Sequence, residues 1–114
     1  MAEPDAGLDP ARLRALAEGL GESPEAVART LHDQLAGARA RIDAGLAAAD
    51  LEATGDGAHA ARNSALMVGA QALLTELRAL ETAADHGRLA DARAARRRAE
   101  GDLRRLIEEL DAFR

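Results

Sequence analysis

The sequence predicts an all-α protein, an antiparallel up-down four-helix bundle with a short N-terminal helix across one end. Composition is the first reason. Of 114 residues, 30 are alanine and 17 leucine, against two valines, two isoleucines, one phenylalanine and no tyrosine or tryptophan. Strands draw on β-branched and aromatic side chains, which are nearly missing, whereas alanine, leucine, arginine and glutamate are strong helix formers. Apolar residues also recur in steps of three and four, the helical period. Finally, these stripes are punctuated by capping residues, prolines and glycines where helices start and stop. The length suits one domain, read as residues 8–114 behind a flexible tail at 1–7.

The elements follow in order. Asp9-Pro10 opens a first helix, with aspartate as cap and proline where its missing N–H costs nothing. Leu13, Leu16 and Leu20 follow at helical spacing, and Gly21 closes it. Ser23-Pro24-Glu25 repeats the start signal. The stripe Val27, Leu31, Leu35, Ala38, Ile42, Leu46 and Ala49 then predicts a second helix, with Arg29, Asp33, Arg39, Arg41 and Asp43 on its other face. Asp50 caps a third helix expected to run unbroken from Leu51 to about Asp85, where Gly87 ends it. Its later half carries Leu66, Ala70, Leu73, Leu77, Leu80 and Ala84. Its earlier half carries a seam of small residues, Ala58, Ala61, Ala65, Val68 and Ala72. A last helix from Leu89 to Phe113 turns Ala92, Ala99, Leu103, Leu106, Leu110 and Phe113 inward.

Much chemistry is excluded by inventory. With no cysteine there is no disulfide, thiolate metal site or thiol nucleophile. Histidines 32, 59 and 86 form no pair at metal-binding helical spacing, so no metal is expected. There is no glycine-rich phosphate loop. No apolar run approaches the ~20 residues of a membrane span, and the acidic start has no signal-like segment, so a cytoplasmic protein without membrane contact is expected. Fifteen arginines face 20 acids, a formal charge of −5, which argues against nucleic acid; the run Arg93–Arg98 reads as a solvated face. No basic residue is lysine, so arginine is the general cation of this chain.

His32 reads as a solvated helix-face residue and His86 as a cap at a helix C-terminus. His59 differs in its surroundings. Arg62 and Asn63 stand three and four residues on, and those positions share a helix face. Arg62 there can reach a phosphoryl group on the imidazole. If the alanine seam turns inward, then His59, Asn63, Leu66 and Met67 turn outward together, and Leu66 and Met67 make an apolar docking patch beside the histidine.

From Ala58 to Glu81 the sequence resembles the signature of histidine phosphotransfer (HPt) domains of bacterial phosphorelays. There, Ala-His-x-Leu-Lys-Gly-Ser-Ser precedes an apolar residue, Gly-Ala, and later Leu and Leu-Glu. In this chain His59 falls on the phosphorylated histidine and Arg62 on the lysine. Ser64-Ala65 falls on the Ser/small pair, Gly69-Ala70 on Gly-Ala, Leu73 on the leucine and Leu80-Glu81 on the closing pair. Asp50-Leu51-Glu52 matches the Gly-Asp-Trp-Glu-like start of the same helix. Ala61 stands in place of a leucine, and Asn63 in place of a glycine.

The resemblance implies a phosphorelay intermediate without autokinase activity. It would accept a phosphoryl group from a receiver-domain aspartate onto His59 and pass it to another receiver. Arg62, Asn63 and Ser64 would assist, and Leu66 and Met67 would dock the partner. The chain itself would need no cofactor, because the Mg2+ belongs to the partner receiver domain. The implied partners are response-regulator receivers and a hybrid histidine kinase, and a monomer is expected. The alternatives are a non-catalytic helical interaction module and the dimerisation half of a histidine kinase, which would need two chains.

Overall fold

The computed structural model describes residues 7–113, which form five helices and, among those residues, no strand. They are α1 (Pro10–Leu20), α2 (Pro24–Ala47), α3 (Leu51–Met67), α4 (Gln71–Asp85) and α5 (Leu89–Ala112). α2 packs on α3, α3 on α4, α4 on α5 and α5 back on α2, while α1 rests on α2 and α3. No helix among the described residues is long and apolar enough to cross a membrane.

The start signals act as the sequence predicts. The Asp9 carboxylate accepts from the N–H groups of Ala11 and Arg12, Ser23 Oγ from Ala26, and the Asp50 carboxylate from Ala53. Each satisfies amides that a helix end leaves unpaired. The stripes also face inward: Val27, Leu31, Leu35, Ala38, Ile42 and Leu46 of α2 are buried, as are Leu73, Leu77 and Leu80 of α4 and Leu103, Leu106 and Leu110 of α5. Leu13 and Ala17 bury α1 in the same core.

Four expectations need correction. The stretch from Leu51 to Asp85 is two helices. α3 stops at Met67, where Gly69 takes the left-handed conformation (φ 72°). Gly69 N–H then bonds the carbonyl of Leu66, and Ala70 N–H that of Ala65, a paired closure that consumes the last carbonyls of α3. Ala49, expected to extend the second stripe, lies past the end of α2 and closes it the same way with φ 55°. Leu20 is exposed rather than inward, and Phe113 is only half-buried, with the Arg14 guanidinium 5.5 Å from its ring centre. The predicted tail, 1–7, lies outside the described residues except for Gly7. That residue is buried, and the next amide, Leu8 N–H, donates to Glu109 Oε1 on α5 at 2.9 Å.

Charged side chains tie α2 to α5. Arg96 Nε donates to Asp43 at 2.7 Å and its Nη1 lies 2.8 Å from Glu100, which Arg39 also reaches at 2.8 Å. Burial alone pushes the Arg96 guanidinium down, but its bonds to the Asp43 and Glu100 carboxylates more than reverse this and raise it. The Arg96 hydrogen bond in turn holds the Glu100 carboxyl below its ordinary value. A lowered carboxyl stabilises the fold above the usual carboxylate range, and the contribution fades as the pH falls through the folded-state value.

α2 and α3 approach closely because glycines face the contact, Gly45 of α2 against Thr54 and Gly57 of α3 against Ile42. A Cβ on Gly57 would sit 2.9 Å from Ile42 Cγ1 and 3.0 Å from Ile42 N. Backbone occupies that space, so Gly57→Ala should destabilise by about 1–3 kcal/mol in urea unfolding. The opposite change at the strained Ala49, Ala49→Gly, should stabilise by about 0.5–1 kcal/mol in the same assay.

Candidate functional site

The seam on α3 decides where His59 points. Ala58, Ala61, Ala65 and Val68 are all 0% exposed, so α3 buries its small residues and turns the opposite face to solvent. On that face stand His59, with 53% of its side chain exposed, Asn63, Leu66 and Met67. Leu66 and Met67 are 45% and 46% exposed, and with Leu20 they are the large apolar residues that the described fold leaves out. Arg12 of α1 donates to the carbonyls of Leu66 and Met67, each at 3.3 Å, and so pins the end of α3 that carries them.

The imidazole is held by two neighbours. His59 Nδ1 lies 2.9 Å from Glu81 Oε2 on α4 and 2.9 Å from Arg62 Nη2. Arg62 Nε lies 3.0 Å from Glu81 Oε1, an ion-pair distance. Its N–H is not aligned on that oxygen, however, and Nε is buried without a hydrogen-bond partner. Nδ1 cannot donate to Glu81 and accept from Arg62 at once. Glu81 favours the tautomer with hydrogen on Nδ1, and Arg62 favours the other. Arg62 can turn its unpartnered Nε–H onto Glu81 Oε1, whereas a bare Nδ1 facing the carboxylate would set a lone pair against a negative oxygen. The carboxylate therefore governs: Nδ1–H donates to Glu81, and Nε2 carries the free lone pair.

Of the residues singled out in the sequence, His59 and Arg62 thus come together, and Asn63 shares their face one turn on. Ser64 does not. Five residues from His59 it is rotated by about 140° around the helix, and it is 4% exposed on the side toward α2, so it is no donor beside the imidazole. In the sequence Glu81 stands out only as part of the closing Leu80-Glu81 pair. Its ion pair with Arg62 and its grip on the ring depend on α4 folding back along α3. His86 Nδ1–H donates to the Thr82 carbonyl at 2.8 Å, as a C-terminal cap should, and His32 lies beside Asp33. Among the described residues no group of three histidine or acidic side chains is placed to hold a metal ion.

A cleft of about 480 Å3 toward α4 takes in His59 with Glu52, Gly55, Asp56 and Glu81. A separate groove of about 390 Å3 toward α2, which His59 does not line, is formed by Gln34, Arg41, Asn63, Ser64 and Met67. Comparison of the chain with protein-family models, with curated proteins and with solved structures gave no match.

The tautomer is open to measurement. Long-range 1H–15N spectra of His59 at neutral pH should show the Nδ1–H form, and Glu81→Ala should convert it to the Nε2–H form with Arg62 donating to Nδ1.

Proposed function

We propose that the chain is a phosphocarrier of the histidine phosphotransfer type. It takes a phosphoryl group from the aspartyl phosphate of a receiver domain onto His59 and hands it to a second receiver. The observation that carries this reading is an exposed imidazole whose Nδ1 is engaged by Glu81, which leaves Nε2 free toward solvent. In this reading α2–α5 form an antiparallel up-down four-helix bundle with α1 across one end. Because α5 closes back on α2, one chain completes the bundle, which supports a monomer rather than a two-chain kinase dimerisation module.

The chemistry is an in-line displacement. The Nε2 lone pair attacks phosphorus, an N–P bond forms, and the P–O bond to the aspartyl carboxylate breaks, the carboxylate leaving with the electron pair. The ring becomes a phosphorylated imidazolium that still carries its Nδ1 proton. Glu81, already accepting from Nδ1–H, stabilises the positive charge that develops there, and Arg62 neutralises Glu81 when the ring is uncharged. Magnesium and the acids that bind it reside on the receiver, which supplies the activated phosphoryl group. Leu66 and Met67, about two turns from the histidine, give the receiver an apolar surface to cover.

His59→Gln should abolish acceptance of label from a phosphorylated receiver while leaving the helical circular dichroism unchanged. The label on the unmodified chain should be acid-labile and base-stable. A chain that takes no label from any phosphorylated receiver is instead a non-catalytic interaction module.

Leu66→Glu separates docking from folding. It should change stability by no more than about 0.5 kcal/mol, since the residue lies at the surface, yet weaken receiver binding by roughly tenfold or more in titration calorimetry.

A further inference from the structure

The charges of this chain are sorted around α4. The cleft that takes in His59 has Glu52, Asp56, Glu81 and Asp85 on its walls and no arginine. Between α4 and α5 lies another hollow, of about 350 Å3, lined by Arg78, Arg88 and Arg98 with Asp91 as its one carboxylate. The two have no lining residue in common. A chain of formal charge −5 thus gathers cations at one place.

Helical spacing assembles this lining. Arg78, Thr82 and His86 stand four residues apart along α4 and its C-terminal cap, so they share one side of it. Arg88 and Asp91 stand at the start of α5, and Arg98 follows Asp91 by about two turns. Arg98 Nε already lies 2.9 Å from Glu76 Oε1. Arg78 and Arg88 form no ion pair among the described residues, although Asp91 lines the same hollow. Arg39, Arg62 and Arg96, by contrast, each meet a carboxylate. The position of Arg88 is also costly. It is the cap residue of α5, where no side chain accepts from the first amides. A helix start favours an acceptor and negative charge, and a cation there opposes the dipole.

We infer that the hollow between α4 and α5 is a binding site for a phosphate group, held by Arg78 and Arg88. The ligand is a compact oxyanion with up to two negative charges, for which guanidinium forks are matched donors. It answers both free cations, and it supplies at the head of α5 the negative charge that Arg88 lacks. A single carboxylate leaves one of the two cations unmatched. Inorganic phosphate and a phosphate monoester share this chemistry. The site is separate from His59 and stands or falls apart from the phosphocarrier reading.

His86 is a built-in reporter. It lines the hollow, and its Nδ1–H is committed to the Thr82 carbonyl at 2.8 Å. Inorganic phosphate is titrated into the intact chain at neutral pH and constant ionic strength, with the histidine rings followed in long-range 1H–15N spectra. The His86 signals should move and saturate by about 10 mM phosphate, and His59→Gln should leave that response unchanged. Arg78→Gln and Arg88→Gln should each weaken binding by about fivefold or more, and the double variant should abolish saturation. Arg104→Gln, which removes an exposed arginine of α5 outside the hollow, should change nothing. All these arginines are exposed, so the helical circular dichroism should persist in every variant. Glycerol 3-phosphate in place of phosphate separates the sources: tighter binding assigns the site to an organic monoester, equal binding to phosphate itself. Three results overturn the inference: no saturable movement of His86, as large a loss in Arg104→Gln as in Arg88→Gln, or acetate moving His86 as strongly as phosphate does.

Discussion

The arrangement rests on which face of α3 is buried. Side chains no larger than valine (Thr54, Ala58, Ala61, Ser64, Ala65 and Val68) fill that face, and Gly57 removes the last obstacle between α3 and the α2 backbone. Helices that meet over small residues can lie close together, and each pays for its position with dense backbone contact rather than with large side chains. Had α3 buried the line through His59 and Leu66 instead, the imidazole would lie inside the core. Apolar bulk is thus kept for α2, α4 and α5, and the surface of α3 is left to polar and docking groups.

Much of the fold was legible because its signals are local. Asp9, Ser23 and Asp50 announce helices within a few residues of themselves, and the leucine stripes need only the helical period. The break after Met67 was not legible in the same way. Gly69 marks the end of α3, but α4 opens at Ala70 with no side-chain cap, and the stripe from Leu66 through Ala70 to Leu73 keeps helical phase across the turn. Periodicity therefore read through a place where the backbone reverses. Leu20 is the last residue of α1 and Phe113 lies just past the end of α5, where the helix no longer holds a stripe against the core.

The site divides along the same line. His59, Arg62 and Asn63 lie within one turn of helix, and the outward position of Leu66 and Met67 follows from the alanine seam. Ser64 enters through the resemblance, as half of the Ser/small pair, but the helix turns it away from His59 into the packed side. Glu81 is 22 residues from His59, and its contact depends on a turn that the pattern concealed. Arginine proved equally divided: Arg96, Arg39 and Arg98 link helices through carboxylates, and Arg12 and Arg93 through carbonyl oxygens, while Arg41 stands clear of all of them.

The turn at Gly69 has a mechanical consequence. It places the carboxylate that grips the ring on a separate rod from the ring itself, the two rods joined by a short turn that Arg12 ties to α1. The spacing of the pair is thereby inherited from how two rods lie side by side, not from the pitch of either one.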